Sequence, residues 1–106
     1  MEKTVSEAIA YRRSVRIYKD EPIDTEKVKQ CLVNASLAPT SSNLQLWEFY
    51  HITDKEMLAK LAAACLGQNA ARTAQQLVVV VTRQDLWRER AKDNIDFLEE
   101  TYNKPN

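Results

Sequence analysis

Leu77–Val81 reads LVVVV, five consecutive residues that are apolar at every position, and this run constrains the fold more than any other stretch of the chain. A strand that faces water on one side alternates apolar with polar residues, whereas an uninterrupted apolar run marks one covered on both faces in the middle of a sheet. Such a strand needs neighbours on both edges and helices on both faces. The chain has 106 residues and offers few segments for those positions. Something further is therefore expected to complete the sheet, either more C-terminal chain or a partner subunit.

The length allows one domain, which buries roughly 60–65% of the surface its unfolded form exposes. A glycine count of 1 excludes the Walker loop and the dinucleotide fingerprint, both of which need glycine at fixed spacing. One histidine leaves no zinc cluster and no Ser-His-Asp triad without a second chain. An enzyme with this inventory takes its hard chemistry from a cofactor. Lys+Arg 15 against Asp+Glu 15 argues against a general nucleic-acid binder, which carries a net basic balance. Cys31 and Cys65 fit no CxxC pattern and lie in apolar helical stretches, so both read as reduced and buried, as suits a cytoplasmic protein. The N-terminus MEKTVSEAIAYRR lacks the apolar core of a signal peptide, and no run approaches the ~18 apolar residues of a membrane span. No membrane partner is expected.

Hydrophobic spacing places the elements. Val5, Ala8 and Ile9 give a short first helix ending in Arg12-Arg13-Ser14-Val15-Arg16. A second helix opens at Asp24 or Thr25, buries Val28, Cys31, Leu32 and Ala35, and stops before Pro39. Pro39-Thr40-Ser41-Ser42-Asn43 reads as loop and Trp47–Thr53 as a strand. Asp54 caps a third helix with Met57, Leu58, Leu61, Ala62 and Cys65 on one face, and Gly67 takes the left-handed position just past its end. After LVVVV, a last helix runs from about Gln84 to Tyr102 on a stripe of Trp87, Ala91, Ile95, Leu98 and Tyr102, with Pro105 beyond it. The expected fold class is α/β (α+β): a central sheet of two or three strands flanked by helices, incomplete within this chain.

Two clusters carry potential chemistry. Arg12, Arg13 and Arg16 place three guanidinium groups within five residues, beside the Ser14 hydroxyl. Guanidinium holds phosphate bidentately, although basic side chains at a helix C-terminus also simply complement the dipole and reach into water. The loop from Pro39 to Trp47 is dense in hydroxyls and amides and enters a strand, where open sheets bind ligands. Its alternative is a turn that satisfies its own backbone. Taken singly, each cluster favours its structural explanation.

In this order and separation the pair resembles the nitroreductase family of FMN enzymes, whose members end a first helix in Arg-Arg/His-Ser-x-Arg/Lys. After a second helix, their Ala-Pro-Ser-Ser-x-Asn-x-Gln-Pro-Trp loop enters a strand. Here the motifs read Arg12-Arg13-Ser14-Val15-Arg16 and Ala38-Pro39-Thr40-Ser41-Ser42-Asn43-Leu44-Gln45-Leu46-Trp47, and the likeness covers roughly residues 5–82. Thr40 replaces the usual first Ser, and Leu46 the usual Pro. The family continues well past this point, so residues 1–106 match the N-terminal part of one FMN-binding domain. The resemblance implies that Arg12 and Ser14 hold the FMN phosphate or ribityl end and that Arg16 lies near flavin N1/O2, with Arg13 sharing either task. It also implies that Pro39, Thr40, Ser41, Asn43 and Gln45 contact FMN bound mainly by the other subunit of a homodimer. Hydride would pass from NADH or NADPH through flavin to a nitroaromatic, quinone or similar acceptor by a ping-pong course with no obligatory protein nucleophile.

Other residues invite simpler readings. His51 shares a strand face with Trp47 and Phe49 and reads as packed. Gln68 and Asn69 stand where the family often has polar groups near the flavin. Trp87 and Tyr102 read as core or interface, and Arg83, Arg88, Arg90 and Lys92 among Asp85, Glu89 and Asp93 as a solvated helix face. From a different class, the alternative function is a small anion-binding interaction module without catalysis, distinguished by salt-sensitive binding and no cofactor.

Overall fold

The structure, a computed structural model, describes residues 1–103. In chain order the elements are α1 (Val5–Tyr11), α2 (Thr25–Ser36), a 3-10 turn (Ser41–Asn43), β1 (Trp47–Ile52), α3 (Lys55–Ala64), α4 (Asn69–Thr73), β2 (Leu77–Thr82), a second 3-10 turn (Gln84–Leu86) and α5 (Trp87–Tyr102). The α/β reading holds, and the sheet among the described residues has two strands. Pro105 lies outside the described residues.

Local chemistry explains the helix starts. Thr4 and Glu7 form a capping box: the Thr4 hydroxyl accepts the Glu7 N–H at 3.2 Å and the Glu7 carboxylate accepts the Thr4 N–H at 2.8 Å. Asp24 accepts the Glu26 N–H at 3.0 Å to open α2, and Asp54 accepts the Met57 N–H at 2.9 Å to open α3, as expected. The end of α3 departs from expectation. Leu66, not Gly67, is the first left-handed residue, with φ 61°, and Gly67 follows at φ 63°. Gly67 N–H donates to the Ala62 carbonyl at 3.0 Å and Leu66 N–H to the Ala63 carbonyl at 3.0 Å, the paired bonds of a Schellman motif. The glycine is thus one place further along than sequence logic assigns it.

The chain divides into two compact units. The first comprises Met1–Pro22 with Thr53–Leu77 and contains α1, α3 and α4, with α3 packed on α4. Its two chain segments are fastened by Tyr18 N–H donating to the Thr73 hydroxyl at 3.0 Å and by the Gln75 amide donating to Asp20 at 3.2 Å. The second comprises Ile23–Ile52 with the chain from Val78 onward and contains α2, β1, nearly all of β2 and α5. Arg83 N–H, just past β2, donates at 2.9 Å to the carbonyl of Leu46, just before β1. The start of one strand therefore lies beside the end of the other, and the pair runs antiparallel. Trp47 and Phe49 stack on one face with ring centroids 4.8 Å apart, as period two requires.

Burial corrects several expectations. Among the described residues none is fully buried. Val28 and Leu32 of α2 are half-buried, but Cys31 and Ala35 are exposed, and Cys31 and Cys65 are both free, exposed thiols. Leu77–Val79 are half-buried whereas Val80 is 62% exposed, so β2 is not covered on both faces within the described residues. The reason is arithmetic: in a two-stranded sheet each strand is an edge, and no described strand lies beyond either one. The apolar stripe of α5 also lies open, with Trp87, Ile95, Leu98 and Tyr102 exposed, while Ala91 and Asn94 are half-buried.

Candidate functional site

The Arg12–Arg16 segment follows α1, with Arg12 as its C-cap. Arg13 turns back on the helix, its guanidinium donating to the carbonyls of Ala10 at 2.9 Å, Tyr11 at 3.3 Å and Arg12 at 2.9 Å. These are the carbonyls a helix end leaves unsatisfied, and the cation also suits the negative end of the helix dipole. Arg13 therefore takes the structural role that the sequence left open for the whole cluster. Arg12 and Arg16 make no such side-chain bonds, and none of the three guanidiniums pairs with a carboxylate among the described residues. Arg16 lines a cavity of about 380 Å³ together with Gly67, Gln68, Asn69 and Ala70. That volume falls within the range of small-molecule sites, roughly 300–1,000 Å³.

The Schellman turn explains why amides reach this cavity. It reverses the chain at Leu66-Gly67 and begins α4 immediately, so Gln68 becomes the α4 N-cap and Asn69 its first residue. Asn69 Oδ1 accepts from the Arg72 guanidinium at 2.8 Å, leaving the Asn69 amide N–H₂ as donor. A guanidinium beside two carboxamides supplies both donors and acceptors in one hollow. Gln68 and Asn69 thus share a cavity with Arg16, a neighbourhood that their sequence position alone did not decide.

The Pro39–Gln45 loop belongs to the other unit. Thr40 is half-buried, and its hydroxyl accepts the Gln45 N–H at 3.2 Å. The Gln45 side-chain amide donates to Asn43 Oδ1 at 2.8 Å. Ser42, Asn43 and Gln45 all have left-handed backbones, with φ of 50°, 52° and 50°. Thr40, Asn43 and Gln45 thus brace the turn, and Pro39 and Ser41 stand exposed beside them. Leu46, in place of the family's proline, enters the β ladder through its carbonyl.

A third group departs from its expected place. Arg83 is no member of a solvated helix face: it precedes α5, bonds Glu48 across the sheet, and donates to Asp85 through Nε at 3.1 Å and Nη2 at 3.0 Å. Arg83, and after it the Tyr50 hydroxyl, holds the Glu48 carboxyl below its usual range, and Glu48 raises Tyr50 in turn. These are hydrogen bonds at a strand margin, and they register β1 against β2 rather than form a ligand site. His51 is half-buried on β1, consistent with packing.

A family model, described as the nitroreductase family, matches residues 9–102. The chain belongs to the nitroreductase family. An Archaeoglobus fulgidus protein named NADH dehydrogenase/NAD(P)H nitroreductase is 39% identical over 69 residues, which span 64% of this chain and 40% of that protein. Among solved structures, an FMN-dependent nitroreductase of Clostridium difficile aligns with TM-score 0.62 and 33% identity over 84% of this chain and 54% of its own. A nitroreductase from Exiguobacterium sibiricum in complex with FMN aligns with TM-score 0.70 and 26% identity over 98% of this chain and 59% of its own. This nitroreductase-family chain thus spans between about two fifths and three fifths of the length of these relatives. No helix among the described residues is long and apolar enough to cross a membrane.

Proposed function

We propose that the chain is the N-terminal part of an FMN-binding oxidoreductase domain and that its two clusters serve the cofactor in different ways. The observation that carries this reading is the cavity that Arg16 lines together with Gln68 and Asn69, with Arg12 four residues earlier and its side chain, like that of Arg16, without a partner among the described residues. Arg13 directs its donors to backbone carbonyls and Arg83 to two carboxylates, which leaves the Arg12 and Arg16 guanidiniums with donors to offer an anionic ligand.

Arg12 and the Ser14 hydroxyl take the phosphate and ribityl end, where a planar fork and an O–H match phosphate oxygens. Arg16 takes the pyrimidine edge of the flavin, where a cation stabilises charge that builds up on reduction. Gln68 and Asn69 complete that edge. The bound flavin supplies hydride transfer from NADH or NADPH to a nitroaromatic, quinone or related acceptor in a ping-pong course. Pro39, Thr40, Ser41, Asn43 and Gln45 contact the flavin of a partner subunit in a homodimer. Open apolar residues such as Ile9 and Val80, 68% and 62% exposed, support a partner that covers them. The FMN relative in the comparison and the family match support the cofactor. A reducing cytoplasm, where NAD(P)H is available, is the proposed setting.

The test is titration of FMN into the purified chain, followed by flavin fluorescence, with Arg12→Gln and Arg16→Gln alongside. Saturable quenching that weakens at least about tenfold in each variant is expected, the scale of a charge-assisted hydrogen bond lost at a ligand. Salt-sensitive binding of inorganic phosphate with no flavin uptake would instead establish the non-catalytic anion-binding module.

A further inference from the structure

The Pro39–Gln45 loop holds an unfavourable backbone, and what restrains it lies far away in sequence. Three residues of non-glycine type, Ser42, Asn43 and Gln45, occupy left-handed conformations. For such residues each instance is unfavourable, and it persists only where the surroundings over-determine it. Bonds inside the loop account for part of the restraint: Asn43 N–H donates to the Thr40 carbonyl at 3.0 Å, Leu44 N–H to the Ser41 carbonyl at 3.1 Å, and Gln45 N–H to the Thr40 hydroxyl. All of these anchor the turn to itself. None ties it to the body of its unit.

The external tie comes from α5. Asn94 Nδ2 donates to the Ser42 carbonyl at 2.6 Å, a contact between residues 52 apart in sequence. Helix α5 packs against the 3-10 turn, and Asn94 is half-buried on it while neighbouring Ile95 is 55% exposed. A polar side chain has displaced the apolar stripe from this contact. A leucine there could fill space but could not hold a carbonyl, and the carbonyl it holds belongs to the first of the left-handed residues.

We propose that Asn94 is the positioning residue of the Pro39–Gln45 loop: its amide fixes the Ser42 carbonyl and thereby keeps the turn in the shape that presents Ser41 and the loop backbone to the cofactor. The ligand side of this statement rests on the FMN reading above; the conformational side does not. Asn94 itself touches no ligand and acts only through the turn. Its contribution is to make the ligand-ready loop the resting state, so that binding is not opposed by ordering it.

The experiment uses the full chain with Asn94→Ala and Asn94→Asp. Hydrogen exchange is read at the amides of Asn43, Leu44 and Gln45, with the Arg83 amide in the β ladder as internal control. Loss of one hydrogen bond is expected to speed loop exchange about fivefold to tenfold in both variants at neutral pH, with the control unmoved. The carboxyl introduced by Asn94→Asp carries no donor when ionised but gains one when protonated. In that variant, loop protection should therefore return as the pH falls below about 4, which a purely space-filling role would not produce and Asn94→Ala should not show. FMN affinity should weaken by a similar factor in both variants. Unchanged loop exchange in both, or equal acceleration of loop and control, overturns the positioning role. Accelerated loop exchange with unchanged FMN affinity overturns its bearing on the cofactor, and a wild-type chain that takes up no FMN overturns the FMN reading itself while the exchange result still decides the role of Asn94 in the turn.

Discussion

Leu66→Gly should stabilise the protein, although leucine stands there now. Leu66 is the C′ residue of α3 with φ 61°, and its side chain is 88% exposed. An L-residue in this region costs roughly 1–2 kcal/mol relative to the right-handed conformation. Replacing it with glycine removes that cost, and the mostly exposed side chain takes little burial with it. Against this, glycine gives the unfolded chain more freedom, worth roughly 0.5–1 kcal/mol. The difference spans about 0–1.5 kcal/mol and centres on a net gain within about 0.5–1 kcal/mol. With a urea slope near ~1 kcal/mol/M, the low end for small proteins, the midpoint should rise by about 0.5–1 M at unchanged slope, followed by circular dichroism at the helix band. Gly67→Ala is the counterpart. A Cβ at Gly67 meets nothing within 4 Å, yet φ is 63°, so the loss of about 1 kcal/mol comes from backbone strain alone. The Schellman bonds survive Leu66→Gly, so the Arg16 cavity should keep its shape in that variant, whereas Gly67→Ala adds a methyl group at a residue that lines it. A midpoint that falls in Leu66→Gly would refute the reasoning, since it would mean that the leucine side chain contributes more than its exposure allows.

Further outcomes follow from other contacts. Arg13→Ala should fray the last turn of α1, read as faster amide exchange at its C-terminal end, because this guanidinium donates to three carbonyls there. Arg83 lowers the Glu48 carboxyl below its ordinary 4.5, so the stability from this pair is fully present above that value and is lost as the pH falls through the lower folded value. Glu48→Gln should flatten the acid limb of the stability–pH curve; an acid limb as steep as wild type would contradict the assignment. Cys31 and Cys65 should both react with a thiol reagent in the folded chain, because both are exposed. Protection of either, released only by denaturant, would show a surface covered in solution.

Much of the secondary structure was legible because its causes are local. Asp24 and Asp54 cap helices through bonds two or three residues away, and alternation or apolar runs mark the strands within six-residue windows. The end of α3 was nearly legible, but glycine's tolerance of left-handed geometry drew the assignment one residue too far, to Gly67 rather than Leu66. In the binding motifs, the sequence supplied the residue types and their order. It did not separate Arg13, which caps α1, from Arg12 and Arg16, because all three have the same chemistry and only the fold assigns them partners.

By itself the sequence pointed to a nitroreductase-family α/β chain and located both strands and four of the five helices, missing the short α4 and opening the last helix at Gln84, where the structure has a 3-10 turn. Tertiary structure alone decided that Leu77–Thr82 pairs with one other strand among the described residues, that Gln68 and Asn69 share a cavity with Arg16, and that Asn94 reaches a turn 52 residues away. The physical reason is range. Propensity and capping act over a few residues of chain, whereas coverage of a strand, pairing of a charge and restraint of a strained turn depend on which distant groups the packed chain brings alongside.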